Sequence, residues 1–120
     1  MPVISTVETP LAHASRGPTG EHVDELVIIT GDAAGSRIAV TKEVTTAGRD
    51  ERSDLLLDDV SVSRHHAIFT RTASGRVTLR DLNSLNGTYV NGARVEETTL
   101  HSADEVQIGK YKLVFWEATT

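Results

Sequence analysis

The sequence contains no cysteine among its 120 residues. A disulfide framework and a thiolate metal site are therefore both excluded, and the absence of Cys fits a reducing cytoplasm, where we expect the protein to be located. No apolar run approaches the length of a membrane-spanning helix. The first 20 residues also lack a basic segment followed by an apolar one, so neither a secretory signal nor a membrane partner is predicted.

An excess of positive charge is also missing. The chain has 12 Lys and Arg against 17 Asp and Glu, which gives a formal net charge of −5 at pH 7. Since affinity for a nucleic-acid backbone comes from clustered Lys and Arg, this balance argues against nucleic-acid binding. The arginines are nevertheless unevenly placed, because Arg49, Arg52, Arg64 and Arg71 fall in one short stretch. Composition alone favours four solvated surface side chains there.

Proline is scarce, and its placement divides the chain. All three prolines fall within residues 1–22, among scattered Ser, Thr and Gly and without a periodic apolar pattern. We interpret residues 1–22 as a flexible, disordered tail and residues 23–118 as one folded domain. A chain of this length buries a core without disulfides or a metal.

Short runs rich in Val, Ile, Leu and Thr recur from residue 23 onward, separated by turn residues. Several alternate between apolar and polar side chains, as in the run 77–80, and none keeps a helical period. The nine runs predicted as strands are residues 25–30, 37–40, 44–47, 54–57, 66–71, 76–81, 88–90, 105–108 and 111–116. Many short strands at close spacing predict an all-β sandwich or barrel.

The residues between these runs are typical of hairpin turns. Residues 31–35 and 73–75 have the composition of hairpin loops, and Gly109-Lys110 is typical of a tight hairpin. Asn91-Gly92 is the dipeptide favoured in type I′ turns, in which both central residues need a positive φ.

Three polar clusters lie where loops are predicted. Gly48-Arg49 follows one strand, residues 63–66 (Ser-Arg-His-His) precede another, and residues 81–88 connect two more. Together they offer guanidinium, hydroxyl and amide donors, and the planar arginine fork matches phosphate oxygens in bidentate fashion. The clusters therefore favour an oxyanion-binding site formed by these loops.

The order of these motifs makes the sequence recognisable. Gly48-Arg49, residues 63–67 (Ser-Arg-His-His-Ala), residues 86–92 (Asn-Gly-Thr-Tyr-Val-Asn-Gly) and Gly109 resemble the motifs of the forkhead-associated (FHA) family over about residues 23–117. The resemblance implies an eleven-stranded FHA-type β-sandwich whose loops at one end bind a phosphothreonine peptide.

A closer resemblance is carried by residues 46–49, 57–64, 84–91 and 104–110. These segments are similar to an actinobacterial group of glycogen accumulation regulators and oxoglutarate dehydrogenase inhibitors. Members of that group carry a threonine-bearing tail, which serine/threonine kinases phosphorylate and which then occupies its own domain. The corresponding candidates here are Thr9 and, second, Thr6, although the group's double-threonine pattern is absent.

The resemblance also implies which residues contact the ligand. Arg49 and Ser63 would contact the phosphate, and Arg64 would add a second charged contact to phosphate or peptide. Asn86 would hold the ligand's backbone. Leu85 stands where some members have a small hydroxyl residue, so one phosphate donor is either missing or supplied by Ser84.

Other motif residues would support the binding loops. The ring of His66 would bond neighbouring backbone and brace them. The residues expected to shape the turns or support the loops are Gly48, Gly87, Thr88, Asn91 and Gly92.

Other chemistries fit the sequence less well. His65 and His66 are adjacent on a predicted strand and would point to opposite faces, so they do not chelate one metal ion. A hydrolase built from Ser63, His66 and Asp81 lacks the Gly-x-Ser-x-Gly elbow. We expect neither a metal, a cofactor nor enzymatic activity.

The function predicted is that of a monomeric phosphothreonine-binding module acting downstream of serine/threonine kinases. Its expected partners are phosphothreonine-containing proteins, among them the kinases and central metabolic enzymes, and its own phosphorylated tail would inhibit it. The alternative is a β-sandwich scaffold or subunit that binds partners without phosphate. The joint presence of Arg49, Ser63, Arg64 and Asn86 favours the first hypothesis.

Overall fold

A computed structural model describes residues 23–118 of the chain, and the predicted tail lies outside the described residues. Between residues 23 and 118 the regular structure consists of strands alone. The strands are β1 (Asp24–Ile28), β2 (Arg37–Val40), β3 (Val44–Gly48), β4 (Leu55–Leu56), β5 (Ala67–Arg71), β6 (Val77–Asp81), β7 (Thr88–Val90), β8 (Ala93–Val95), β9 (Glu97–Thr99), β10 (Glu105–Ile108) and β11 (Tyr111–Trp116). The all-β prediction and the number of strands implied by the resemblance are confirmed.

The strands form two sheets that pack face to face. The six-stranded sheet has the order β2-β1-β11-β10-β7-β8, and the five-stranded sheet has the order β4-β3-β5-β6-β9. Neighbouring strands are antiparallel except β3 and β4, which pair in parallel. The chain crosses between the sheets after β2, β6, β8 and β9, so each sheet is built from several separate parts of the sequence.

The core lies between the two sheets and follows the alternation seen in the sequence. Val77 and Leu79 of β6 point inward, and Phe69 on the neighbouring strand β5 is fully buried. Phe115 of β11 is fully buried as well. Because burial of apolar surface is the main favourable contribution to folding, these inward positions stabilise the sandwich.

Strands β8 and β9 were not among the nine predicted runs. Both are three residues long, and none of their side chains is buried. Each lies at the edge of its sheet, where β8 pairs with β7 and β9 pairs with β6. Strands this short are difficult to predict, because three residues are too few for an alternating pattern to stand out.

Two kinds of feature are absent from the described residues. Between residues 23 and 118 there is no helix long and apolar enough to cross a membrane. The same part of the chain holds no group of three or more His, Cys, Asp or Glu side chains placed to bind a metal ion.

Candidate functional site

Three loops meet at one end of the sandwich because of the register of β3, β5 and β6. The end of β3 is paired with the start of β5 through Ala47 and Ala67, and Ala67 is paired in turn with Asp81 at the end of β6. The β3–β4 loop (residues 49–54), the β4–β5 loop (residues 57–66) and the β6–β7 loop (residues 82–87) therefore emerge side by side. These loops contain the three polar clusters predicted from the sequence.

The first two loops are joined by main-chain hydrogen bonds. The Arg49 amide donates to the Ser63 carbonyl at 3.0 Å, and the Asp50 amide donates to the Arg64 carbonyl at 3.1 Å. This pairing requires the loops to approach closely at Gly48. A Cβ on Gly48 would lie 2.9 Å from the Arg64 carbonyl carbon and closer still to its oxygen. Glycine is thus required at position 48 because a side chain would collide with Arg64. A left-handed backbone is not the reason, since the φ of Gly48 is not positive.

Arg49 is exposed and held in place by one of its own nitrogens. Its Nε donates to the carbonyl of Val62 at 3.0 Å, which orients the guanidinium over the β4–β5 loop. Its two terminal nitrogens make no hydrogen bond within residues 23–118. They remain available for an anion next to Ser63.

Ser63 links the second loop to the third. Its Oγ accepts a hydrogen bond from the Leu85 amide at 3.0 Å, and its own amide donates to Nδ1 of His66 at 3.0 Å. The Ser63 hydroxyl proton has no acceptor among the described residues. A ligand oxygen placed beside Arg49 would therefore find a second donor here.

Asn86 lies at the tip of the third loop. Its Nδ2 donates to the Ser61 carbonyl at 3.0 Å, and the side chain is exposed. This contact uses one of the two N–H donors of the amide and leaves its oxygen without a partner among the described residues, and that oxygen suits an acceptor for a ligand's backbone N–H. The neighbouring Leu85 is 84 % exposed and offers an apolar surface in place of a hydroxyl.

His66 is fully buried, with 0 % of its surface exposed. Its Nδ1 accepts the Ser63 amide proton, and its Nε2 lies 2.9 Å from the carbonyl of Gly87. Because Nδ1 accepts a hydrogen bond, Nε2 is the donor to the Gly87 carbonyl. The ring thereby joins the second and third loops.

Asp81 organises the β6–β7 loop from inside. Its carboxylate accepts hydrogen bonds from the Ser84 amide at 3.0 Å, the Ser84 hydroxyl at 2.6 Å and the Thr88 hydroxyl at 2.7 Å. Burial would raise the pKa of Asp81, but these hydrogen bonds outweigh it and hold the pKa below its ordinary value. The sequence places Asp81 in the third polar cluster and in an unsupported hydrolase triad, but this organising role was not predicted.

The geometry argues against the prediction that Ser84 supplies a phosphate donor. Ser84 is buried, its single hydroxyl proton goes to Asp81, and its Oγ accepts the Gly87 amide at 2.9 Å. With the donor already engaged, Ser84 shapes the loop that presents Leu85 and Asn86. Thr88, predicted as a supporting residue, lies in the same network.

Asn91 and Gly92 were predicted to support the binding loops, but they lie in the turn between β7 and β8. They form the β7–β8 turn with φ values of 51° and 86°, as a type I′ turn requires. The Asn91 Nδ2 donates a hydrogen bond to the Asp104 carboxylate at 3.0 Å, and the Asn91 Oδ1 accepts one from the Glu105 amide at 2.9 Å. This turn is at the end of β7 remote from Gly87, about 13 Å away along the strand. These two residues therefore support the opposite end of the sandwich and not the binding loops.

Arg64 is paired with a residue that the sequence analysis did not single out. Its Nη2 donates to the Asp50 carboxylate at 3.0 Å, and Arg52 contacts the same carboxylate through Nε and Nη2 at 3.3 and 3.2 Å. Hydrogen bonds from Arg52, and then from Arg64, hold the pKa of Asp50 well below its usual range. Asp50 also accepts the Arg52 amide at 2.8 Å, the pattern of an Asx turn, which was the available sequence signal.

A fourth segment borders the site. Asp59 in the β4–β5 loop accepts the Ser61 amide and hydroxyl at 2.9 and 2.6 Å and pairs with Lys110 of the β10–β11 hairpin at 3.2 Å. These contacts, the Ser61 hydroxyl first, lower the pKa of Asp59 to about 2. The hairpin is thereby fastened to the loop that carries Ser63.

Known proteins are similar to this chain in sequence and in fold. The family model of the FHA domain matches residues 45–109. The glycogen accumulation regulator GarA of Mycolicibacterium smegmatis is 42 % identical over 120 residues, which cover 93 % of this chain and 74 % of GarA. The oxoglutarate dehydrogenase inhibitor of Corynebacterium diphtheriae is 51 % identical over 92 residues, covering 77 % of this chain and 64 % of the inhibitor. The chain thus spans about two thirds to three quarters of these two relatives.

Solved structures share the same architecture. A chain from a structural and functional analysis of phosphothreonine-dependent FHA domain interactions superposes with a TM-score of 0.74 at 28 % identity, covering 82 % of this chain and 99 % of that chain. Mycobacterium tuberculosis EmbR, solved in complex with a low-affinity phosphopeptide, superposes with a TM-score of 0.75 at 25 % identity. That match covers 98 % of this chain and 29 % of EmbR.

Proposed function

Because this chain belongs to the FHA domain family, we propose that it binds phosphothreonine-containing segments of other proteins through its three adjoining loops and acts as a regulator without enzymatic activity. The observation that carries the proposal is that Arg49, Ser63 and Asn86 lie together at one end of the sandwich. Each keeps a polar group that makes no hydrogen bond to another described residue.

The phosphate would lie between the Arg49 guanidinium and the Ser63 hydroxyl. Hydrogen bonds to a charged phosphate are shorter and stronger than those between neutral groups. The Asn86 oxygen would accept a backbone N–H of the ligand and set its direction. Because the contacts of His66 and Asp81 already hold these loops in place, little conformational freedom is lost on binding.

The proposal predicts a clear effect of Arg49→Ala. Loss of a charge-assisted contact should cost about 1.5–3 kcal/mol of binding free energy, which corresponds to a roughly tenfold to hundredfold weaker affinity. Titration calorimetry with a phosphothreonine peptide measures this. The thermal midpoint should change little, since Arg49 is exposed.

The matched control is Arg76→Ala. Arg76 lies in the β5–β6 hairpin at the opposite end of the sandwich and pairs with Glu117 at 3.3 Å, so its removal should leave the affinity unchanged. Equal binding of phosphorylated and unphosphorylated peptides, with no effect of Arg49→Ala, would favour the alternative of a scaffold that recognises partners without phosphate.

The names of the relatives suggest what such a module regulates. One group is named for glycogen accumulation and the other for inhibition of oxoglutarate dehydrogenase. By analogy, the partners of this chain would include metabolic enzymes and serine/threonine kinases of the cytoplasm. Different phosphothreonine segments would then compete for the Arg49 site, and the bound segment would decide which partner is regulated.

Residues 1–22 are part of the proposal as a regulatory tail preceding the domain of residues 23–118. Thr9 lies 15 positions before Asp24, the first residue of β1. A flexible linker of that length spans roughly 20–25 Å, and tethering would give an effective concentration in the millimolar range. Phosphorylation of Thr9, or secondarily Thr6, would therefore make the tail occupy its own domain.

Self-binding predicts a specific NMR result. After stoichiometric phosphorylation, the amide signals of Arg49, Ser63 and Asn86 should shift to the same extent at low and high protein concentration, since the reaction is intramolecular. The variant Thr9→Ala, treated with the same kinase, is the control for the contribution of Thr6. Unshifted signals at all three residues in the phosphorylated protein would contradict the proposal.

A further inference from the structure

A second cationic group lies next to the proposed phosphate site. Its centre is Asp50, whose side chain is 3 % exposed. The Asp50 carboxylate is contacted by Arg52 at 3.2 Å and by Arg64 at 3.0 Å, and the His65 ring lies 3.8 Å from it. We call these four residues the Asp50 cluster.

The cluster contains more positive charge than is needed to balance the buried Asp50 carboxylate. One arginine would balance the charge of Asp50, whereas two are present and both are largely exposed, Arg52 at 82 % and Arg64 at 62 %. Arg52 contacts Asp50 with Nε and Nη2, which leaves Nη1 facing solvent. The four residues of the cluster therefore carry a net positive charge, in a chain whose net charge is −5.

Arg52 is also fixed in direction. Its amide donates to the Asp50 carboxylate, and its guanidinium contacts the same carboxylate through Nε and Nη2, so the residue is held at both ends. A long side chain normally loses rotamer freedom when it binds a ligand, and Asp50 has already restricted that freedom. The remaining N–H groups are thus pre-organised donors.

A cavity opens beside these donors. It has a volume of about 330 Å³ and is lined by Asp50, Arg52, Ser53 and His65 on its polar side and by Ala67 and Leu82 on its apolar side. A cavity with an apolar wall and a cationic rim fits the stem and the charged end of an acidic side chain.

The position of the cluster relates it to the same ligand. Asp50 directly follows Arg49, Arg64 directly follows Ser63, and the two pairs are joined by the main-chain hydrogen bonds between the loops. A peptide held by Arg49 and Ser63 would therefore pass within reach of Arg52.

We propose that Arg52, positioned by Asp50 and bordered by the His65 cavity, forms a second anion subsite that takes an acidic group on the same phosphothreonine peptide. The group is a Glu or Asp carboxylate or a second phosphate, both of which match the arginine fork. The subsite rests on the proposed function, because it needs a peptide anchored at Arg49. With this subsite the protein would prefer ligands that carry both a phosphothreonine and a second acidic group over ligands with the phosphothreonine alone.

The test uses a peptide library with a fixed phosphothreonine. At each flanking position a Glu peptide is paired with the Gln peptide of otherwise identical sequence, and both are titrated into the full chain. We expect one or two positions at which Glu binds about two- to fivefold more tightly than Gln, the range for a largely exposed ion pair. That preference should disappear in Arg52→Ala and persist in Arg76→Ala, while Gln peptides bind both variants as they bind the wild type.

A second arm identifies the acidic group. At the position found above, a second phosphothreonine replaces Glu, and the gain should be larger, on the order of tenfold, because a phosphate carries more charge and more acceptor oxygens. The gain should shrink as salt is raised, since exposed charges are screened. A gain for Glu equal to that for phosphothreonine assigns the subsite to carboxylates.

The variant Asp50→Asn tests the positioning role. Removing a negative charge near the peptide would tighten binding of every acidic peptide if only net charge mattered. If Asp50 directs Arg52, the Glu-over-Gln preference falls instead, and the thermal midpoint verifies that the variant is folded. The subsite is overturned if no flanking position shows a preference that depends on Arg52. If phosphothreonine peptides bind no better than threonine peptides, the proposed function fails first and the subsite fails with it.

Discussion

Gly48→Ala is expected to destabilise the domain by at least about 3 kcal/mol, at the upper end of the cost of inserting a methyl group into packed structure. The added Cβ would collide with the main-chain carbonyl of Arg64, which no side-chain rotation relieves. Separating the loops would break the hydrogen bonds from Arg49 to Ser63 and from His66 to Ala47, both 3.0 Å long. Urea unfolding measures the loss, and phosphopeptide affinity should fall with it.

Gly75→Ala is the matched control. Gly75 has a φ of 87°, so alanine is strained there, but nothing lies within 4 Å of its Cβ position. The cost should be about 1 kcal/mol, the price of a left-handed conformation alone. A Gly48→Ala variant no less stable than Gly75→Ala would show that the two loops separate easily and that their close approach is unimportant.

The fold could be predicted in large part because strands and turns have local signals. Alternating burial marks β6, and the Asn91-Gly92 dipeptide marks the β7–β8 turn with positive φ at both residues. Strands β8 and β9 have no such signal, because their partners lie on one side only and neither strand buries a side chain. They form because β7 and β6 offer free edges, which is a tertiary effect.

Strand β1 shows a different limit of local patterns. All five of its residues are buried, including Asp24 and Glu25, and β2 and β11 flank the strand within its sheet. Asp24 is paired with Arg71 at 3.1 Å and Glu25 with Arg37 at 2.8 Å. Acidic residues are rarely buried unless paired, and a partner 47 positions away, such as Arg71, is not visible to a local pattern.

The candidate site divides in the same way. Motif spacing and the family resemblance pointed to Arg49, Ser63 and Asn86, which the loops bring together. Asp50 and Asp81 were missed as the residues that organise the loops. Each accepts an amide two or three positions later along the chain, an Asx pattern that loop aspartates commonly adopt.

The placements of Ser84 and Asn91 could not be derived from their motif alone. Ser84 is adjacent to the exposed Leu85, yet its hydroxyl turns inward to Asp81. Asn91 is only five positions after Asn86, yet strand β7 carries it to the opposite end. Proximity in sequence gives the loop or strand to which a residue belongs, whereas the direction of its side chain depends on partners from other strands.

His66→Ala is expected to lower the free energy of unfolding by about 3–5 kcal/mol, the range found when a large buried side chain is truncated to alanine. Two terms act in the same direction. The fully buried ring leaves a cavity, and the Ser63 amide and Gly87 carbonyl lose their partner. An unsatisfied buried polar group costs about 1–3 kcal/mol. Chemical denaturation followed by the fluorescence of Trp116, the single tryptophan, measures the loss.

The variant His65→Ala is the control for His66→Ala, because it also removes an imidazole but from an exposed position. His65 is exposed and lies 3.8 Å from Asp50, so His65→Ala should change the stability by less than about 1 kcal/mol. His66→Gln keeps a polar group of similar reach and should recover part of the loss if the bond to Gly87 matters. Because the ring joins the Ser63 loop to the Asn86 loop, His66→Ala should also weaken phosphopeptide binding under conditions where the protein remains folded. Stability equal to that of His65→Ala would contradict the bracing role, and unchanged affinity in a destabilised variant would show that the two loops are held together by other contacts.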